Sequence, residues 1–131
     1  MDWLKEVNAA VTICDNQGII VYMNDKSEQV FENDGGINLI VSNLFGCHPE
    51  PALTKLKEML ADGSTNVYTI EKNGKKKIIY QTPWVKENNI EGMVEIWFNI
   101  PDEMPHFVRK WLSDSFASTT PNKYYPPCLF Y

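Results

Sequence analysis

Two residues able to do chemistry, Cys47 and His48, stand side by side just before the longest helical pattern of the chain. A neutral imidazole there would serve as a hydrogen-bonding group or as an iron ligand, and a thiolate beside a base would serve as a nucleophile. Adjacent residues rarely point at each other, and no third group that would orient such a pair is evident. Because no acid, base and nucleophile are brought together by spacing, the sequence predicts a protein that is not an enzyme.

Charged residues within predicted strands are the next candidates. Glu95 lies in an apolar strand pattern, and if its side chain points inward it must be paired, protonated or bound to a ligand. The basic run Lys75 to Lys77 would contact a phosphate or a nucleic acid, or it would keep the end of a hairpin solvated. A net charge of −5 and the lack of a wider basic stripe favour the solvated role, so no nucleic-acid partner is expected.

The totals indicate one cytoplasmic domain. The 131 residues, of which 44% are hydrophobic and 22% charged, suit a single globular domain with a core. No apolar run approaches the ~20 residues that a membrane span needs, and the N-terminal residues form no apolar signal region. The three cysteines include no CxxC pair, so we expect reduced thiols in a cytosol, no metal site and no membrane partner.

A central helix positions the Cys47-His48 pair. Pro51 is suited to the first turn of a helix because the N–H that proline lacks would have no partner there. Asp62-Gly63 ends the pattern, since glycine accepts the left-handed conformation of a C-terminal cap. Between them, apolar residues recur at helical spacing on one side of the helix, namely Leu53, Leu56, Met59 and Leu60.

Five strand patterns flank this helix. The first two form a hairpin through Asn16-Gln17-Gly18, and Asn24 after them is placed to cap a short helix. Asn73-Gly74 is a strong signal for a tight turn, and Asn88-Asn89 marks another. The predicted strands cover residues 11–15, 19–23, 66–72, 77–85 and 90–100, and short helices are predicted over residues 3–10 and 25–32.

The pattern changes after Pro101. Five apolar residues recur there at helical spacing, namely Met104, Phe107, Val108, Trp111 and Leu112. This spacing predicts an amphipathic helix over about 103–116, whose apolar side would cover the sheet of this domain or of a second copy. We therefore divide the chain into a domain of residues 1–101 and a C-terminal segment, 102–131, made of this helix and an irregular tail.

The order of these elements resembles that of a PAS domain. VTICDNQGIIVYMN, residues 11–24, is similar to the first PAS hairpin and ends on an asparagine that PAS sequences commonly carry. NLFGCHPEP, residues 43–51, resembles the segment that enters the long helix, and NGKKKIIYQTPW and EGMVEIWFNI resemble the last two strands. The resemblance covers residues 1 to about 101. It implies an α+β fold with a five-stranded antiparallel sheet, helices on one face enclosing a small-molecule pocket, and flanking terminal helices.

The resemblance also assigns one face of the sheet to the pocket. Strand side chains alternate, which separates a strongly apolar set from a mixed set. Burying the apolar set against the helices is the simpler interpretation, whereas similarity to flavin-binding PAS domains directs the mixed set into the pocket. We adopt the second, so the apolar set faces outward, where terminal helices and a dimer partner would cover it. The residues expected to bind the ligand are Thr12, Cys14, Tyr22, Leu44, His48, Leu56, Thr69, Gln81, Glu95 and Trp97.

Three hypotheses about function follow from the resemblance. The first is a PAS sensory module that binds a small polar or aromatic ligand and transmits its state through a homodimer or an effector protein. The second is a ligand-free PAS dimerisation domain. The third is a haem sensor with His48 as the iron ligand, since haem-binding PAS sensors carry a histidine near the start of the same helix. Flavin–cysteine photochemistry is not expected, because Leu44 stands where photoactive PAS domains carry the reactive cysteine.

Overall fold

The computed structural model describes residues 1–110 of the chain, so the predicted tail and residues 111–116 of the predicted C-terminal helix lie outside the described residues. The helices are α1 (Trp3–Glu6), α2 (Asp25–Val30), α3 (Leu44–Cys47) and α4 (Ala52–Asp62), with 3-10 turns at Glu32–Asp34 and Gly36–Leu39. The strands are β1 (Ala10–Asp15), β2 (Ile20–Met23), β3 (Asn66–Lys72), β4 (Lys75–Lys86) and β5 (Asn89–Ile100).

The five strands form one antiparallel sheet in the order β2-β1-β5-β4-β3, which confirms the predicted α+β fold. The turn between β3 and β4 is at Asn73 and Gly74, whose φ angles of 54° and 72° are those of a tight hairpin turn. The turn between β4 and β5 is centred on Glu87 and Asn88, one residue before the predicted position. Because both connections are short, β3, β4 and β5 pair as consecutive neighbours.

Helix α4 lies over one face of the sheet, which we call the inner face. Its Leu56 and Met59 are buried and pack against Cys14 of β1 and Met93 of β5. The helix ends as predicted, because Gly63 adopts a left-handed φ of 76° and donates its N–H to the carbonyl oxygen of Met59 at 2.9 Å. Burial of this apolar side holds the helix across the sheet.

Asn24 fixes the N-terminal segment to the sheet. Its side chain is fully buried and caps α2 by accepting a hydrogen bond from the N–H of Ser27 at 3.0 Å, as the sequence predicts. The same oxygen accepts a bond from the N–H of Val11 in β1 at 2.9 Å. The side-chain amide donates to the carbonyl oxygens of Leu4 and Ala9 at 3.1 and 2.7 Å. One side chain therefore joins α1, β1 and α2.

The pairing of β1 with β2 contains an irregularity that the alternation of the sequence does not predict. Ile13 pairs with Tyr22, whereas the next residue, Cys14, pairs with Ile20. Partners that lie directly opposite point to the same face, so Tyr22 shares the outer face with Ile13. The expected position of Tyr22 on the inner face is therefore wrong, and Met23 lies there instead. The extra residue, Val21, shifts the alternation by one position.

The expected face of β3 is also wrong, although its pairing with β4 is regular. Thr69 pairs with Ile78, and Tyr68 pairs with Ile79, which itself pairs with the inner-face residue Trp97. Tyr68 thus points to the inner face and Thr69 to the outer face. An offset of one residue reverses every side chain of a strand, and the pairing of β3 with β4 decides it.

The outer face is apolar and partly open to solvent. Val67, Tyr80 and Phe98 on it are exposed by 51%, 39% and 42%. The predicted amphipathic helix does not cover it in the described part of the chain, because residues 103–110 are exposed and form no helix. Helix α1 is also shorter than the predicted 3–10. None of the helices within residues 1–110 has the length and apolar character needed to cross a membrane.

Candidate functional site

A cavity of about 470 Å³ lies between the inner face and the segment from α2 to α4. This volume is within the range typical of small-molecule sites. Six of the predicted ligand-binding residues line it, namely Thr12, Cys14, Leu44, His48, Leu56 and Glu95. The sequence did not predict the other lining residues, which are Ile20, Met23, Phe31, Asp34, Leu39, Ser42 and Met93.

The remaining four predicted residues do not line the cavity. Tyr22 and Thr69 lie on the outer face. Gln81 lies on the inner face directly beside Glu95, one strand further from the cavity. Trp97 is buried with Ala10 and Ile79 in a separate cluster of the inner face, where the ammonium group of Lys77 is 4.4 Å from its ring centroid.

A row of polar side chains leads into the cavity across three strands. Asn66 of β3 donates its side-chain amide to Oε1 of Gln81 at 3.1 Å, and Gln81 donates its own amide to Oε2 of Glu95 at 2.7 Å. Gln81 is only 7% exposed, whereas Asn66 and Glu95 on either side of it are partly exposed. The two amides hold the Glu95 carboxylate in the cavity wall. Within residues 1–110, Glu95 has no salt bridge, since the one ion pair there joins Lys5 to Asp25.

Hydroxyl groups form a second polar part of the wall. The Thr12 and Ser27 hydroxyl oxygens are 2.6 Å apart, and Ser27 is fully buried behind Thr12. The hydroxyl oxygen of Ser42 is buried and has no hydrogen-bond partner among the described residues. A buried hydroxyl without a partner is unusual in folded proteins, because desolvation then goes uncompensated. A ligand in the cavity would supply the missing partner to Ser42.

His48 is oriented by its own turn of chain. Its Nδ1 lies 2.9 Å from the carbonyl oxygen of Leu44. A carbonyl oxygen only accepts, so Nδ1 carries the proton of the neutral ring and Nε2 is left as an acceptor. Asn43 begins α3 by accepting the N–H of Phe45 at 2.8 Å, which sets the position of Leu44 and hence of His48. The contact to Leu44 therefore fixes the orientation of the ring in the wall of the cavity.

Cys14 contributes an unreactive thiol to the wall. It is buried, and desolvation raises its pKa above the ordinary value. A thiol that holds its proton is a poor nucleophile and a poor metal ligand. Among residues 1–110, no group of three or more His, Cys, Asp or Glu side chains is placed to hold a metal ion. The described lining residues offer a ligand hydrogen bonds, charge and apolar contact.

Asp34 and Ser42 are the polar lining residues that sequence reasoning missed. Asp34 belongs to the stretch Asn33-Asp34-Gly35-Gly36, which reads only as a helix end, and Ser42 precedes α3 in a connecting segment. Residues in connections have no periodicity that would reveal which way they face. The pairing of this segment with the sheet, through the hydrogen bond from the N–H of Ile20 to the carbonyl of Ser42 at 2.9 Å, brings Ser42 to the cavity.

Solved structures of other proteins share this arrangement of strands and helices. No family model matches the chain, and no curated protein is similar to it in sequence. A sensory box sensor histidine kinase from Vibrio cholerae matches with a TM-score of 0.56 and 19% identity, over 76% of this chain and 88% of that one. The PAS domain of a protein from Colwellia psychrerythraea matches equally well, with a TM-score of 0.56 and 19% identity, over 76% and 92%.

A third solved structure, VqmA bound to DPO, matches with a TM-score of 0.58 and 14% identity. The match covers 77% of this chain and 56% of VqmA. Together with the strand order β2-β1-β5-β4-β3 and the helix α4 across the inner face, these likenesses show that the chain has the PAS fold. The resemblance seen in the sequence is thereby confirmed.

Proposed function

We propose that this protein is a PAS sensory module that binds a small polar or aromatic ligand in the cavity and transmits occupancy to a partner. The observation that carries this proposal is the cavity itself, about 470 Å³ of space with an apolar wall and few convergent polar groups. Those groups include Thr12, Ser42, His48 and Glu95. VqmA, which has the same fold, is known with DPO bound, and this supports a ligand here.

A route for transmission leads from the cavity to the N-terminal segment. Thr12 in the cavity wall contacts Ser27, whose N–H is held by the Asn24 side chain. Asn24 in turn holds the carbonyl groups of Leu4 and Ala9. A ligand that contacts Thr12 would favour one arrangement of these bonds over another, and so shift the packing of α1. A second copy or an effector protein would respond to that shift.

Filling the cavity tests the proposal. Ser42→Leu would place an apolar side chain where the unpartnered hydroxyl now lies, whereas Ala61→Leu adds the same side chain at an exposed position of α4. In a thermal-shift screen with a metabolite library, we expect compounds that raise the melting temperature of the native protein and of Ala61→Leu but not of Ser42→Leu. A library without any such compound, or hits that are unaffected by Ser42→Leu, would count against a ligand site in this cavity.

The exposed outer face favours a second candidate, a ligand-free dimerisation domain. Val67, Tyr80 and Phe98 form an apolar surface that a partner copy would bury. Tyr80→Glu should then yield a monomer in analytical ultracentrifugation, while Glu58→Gln at an exposed position of α4, on the other side of the sheet, should leave the dimer intact. A native protein that is monomeric at all concentrations tested would exclude this candidate and the dimer route of the first.

The proposal includes a cytoplasmic location. Its support is the set of three cysteines without a CxxC pair, together with the free thiol of Cys14. Fractionation of cells that produce the native chain would test this part.

A further inference from the structure

We infer that the ligand of this cavity is a small cation, a protonated amine or nitrogen heterocycle attached to an apolar body. This inference rests on the proposed function, because it names the chemical class that the same cavity would accept. It follows from the sign and the hydrogen-bonding character of the wall, which differ from those of a site for carboxylates or phosphates.

The charged groups that residues 1–110 contribute to the wall are acidic. Glu95 and Asp34 line the cavity, and no lysine or arginine does so in this described part of the chain. The Glu95 carboxylate is partly buried, and residues 1–110 supply no cation to it. A carboxylate removed from bulk water without a counter-charge is costly, so a ligand that brings a positive charge is favoured there. An anionic ligand would meet repulsion from both side chains.

The uncharged polar atoms of the wall also require a ligand that donates hydrogen bonds. Oε2 of Glu95 already accepts the Gln81 amide, which leaves Oε1 to accept from a ligand. His48 presents Nε2 as an acceptor, since its Nδ1 is directed to the carbonyl of Leu44. Of the buried hydroxyl groups without a partner in the described residues, those of Tyr22, Ser42 and Ser64, only Ser42 lines the cavity, and it accepts as readily as it donates. An ammonium group or a protonated ring N–H is a donor that each of these acceptors can bind.

The apolar lining residues indicate that the ligand has an apolar body beside its charged nitrogen. Phe31, Leu39, Leu44, Leu56 and Met93 line the cavity, and each presents an apolar side chain. A hydrated metal ion or a small polyol would leave this surface in contact with water. A ligand with an aromatic or aliphatic body next to its charged nitrogen would bury it instead.

The two acidic residues have different positions. Glu95 is held by the Gln81 amide in the sheet, whereas Asp34 is exposed on the 3-10 turn after α2. Solvent weakens the attraction of an exposed carboxylate for a cation. Glu95 should therefore bind the charged nitrogen, and Asp34 should mainly increase the local concentration of cations at the entrance.

Three probes of similar size and different charge test the inference, with binding measured by calorimetry near neutral pH. They are phenethylamine, which is a cation there, 2-phenylethanol, which is neutral, and phenylacetate, which is an anion. We expect phenethylamine to bind at least about tenfold more tightly than 2-phenylethanol, since a hydrogen bond to a charged group is worth more than a neutral one. Phenylacetate should bind most weakly of the three.

Isosteric variants assign the effect to the cavity. Glu95→Gln should weaken phenethylamine about ten- to a hundredfold and leave 2-phenylethanol unchanged. Asp34→Asn should weaken phenethylamine by a smaller factor. Glu58→Gln, which removes the same charge from an exposed position of α4, should leave both dissociation constants unchanged. The unchanged binding of the neutral probe to Glu95→Gln would also show that this variant is folded.

Each other outcome overturns the inference. Equal or tighter binding of the neutral or anionic probe would refute selection for cations while supporting a ligand site in the cavity. Loss of phenethylamine affinity in Glu58→Gln as large as in Glu95→Gln would assign the effect to net charge alone. Failure of all three probes to bind would also refute the inference, and the metabolite screen with Ser42→Leu then decides the proposed function separately.

Discussion

Replacing Asn24 with alanine should destabilise this fold far more than the loss of an ordinary helix cap. The Asn24 side chain is fully buried and makes four hydrogen bonds with backbone groups. Two of its partners, the N–H groups of Val11 and Ser27, are in buried bonds, so alanine would leave both donors without an acceptor. Each orphaned donor costs about 1–3 kcal/mol, which gives a loss of about 2–6 kcal/mol in the free energy of unfolding.

The other two partners should behave differently. The bonds to the carbonyl oxygens of Leu4 and Ala9 are only partly buried, so water can replace the amide of Asn24 there. Their loss should loosen α1 without adding much to the global change. The N–H of Val7, which bonds to the carbonyl of Trp3 at 2.9 Å and closes α1, should then exchange with solvent faster in Asn24→Ala.

Urea denaturation and amide hydrogen exchange measure these two effects separately. Asn43→Ala is the matched control, because Asn43 also caps a helix with its side-chain oxygen but is exposed, and its loss should cost only about 1 kcal/mol. If Asn24→Ala cost no more than Asn43→Ala, the side chain would be an ordinary cap. The reasoning that it joins three elements would then be refuted.

Two further predictions concern β5 and the cavity wall. Gly92→Ala should destabilise the fold by more than about 4 kcal/mol or prevent folding, because its Cβ would overlap the carbonyl oxygen of Cys14 and lie 2.6 Å from Nε1 of Trp84. Gly46→Ala is the control, because a Cβ at Gly46 meets no atom within 4 Å. Equal melting temperatures of the two variants would contradict the prediction. Since burial raises the pKa of the Cys14 thiol, the folded state keeps a proton that the unfolded chain releases. The contribution of Cys14 to the free energy of unfolding should therefore be complete below the ordinary thiol pKa and be lost as the pH rises through the higher pKa of the folded state. An equally steep fall of the free energy of unfolding at alkaline pH in Cys14→Ser would contradict this prediction.

The parts of the fold that could be predicted are those decided by local chemistry. Asn24 as a cap, Gly63 in the left-handed region and Asn73-Gly74 as a tight turn each follow from what one or two residues do to the adjacent backbone. The apolar side of α4 follows from spacing alone, since Leu56 and Met59 recur at helical intervals. These features depend on sequence neighbours, and all of them are confirmed.

Prediction failed where the pairing of one strand with its neighbour decides the outcome. The irregularity at Ile13 and Cys14 reverses Tyr22, and the register of β3 against β4 reverses Thr69. Neither register can be worked out from one strand, because alternation gives two sets and does not say which of them faces the helices. The predicted helix over 103–116 failed over 103–110 because helical spacing by itself does not supply a surface to bury against.

The strands, the central helix and the turns, and through them the PAS fold, could be predicted because each depends on residues close along the chain. The resemblance to PAS domains placed Glu95 on the pocket face, whereas the strand pattern left both directions of its side chain open. Folding is needed to bring Asp34 and Ser42 into one cavity with Glu95, because both lie in connections whose direction depends on contacts with the sheet. The chemical character of the cavity, acidic and accepting hydrogen bonds, is therefore a property of the folded chain.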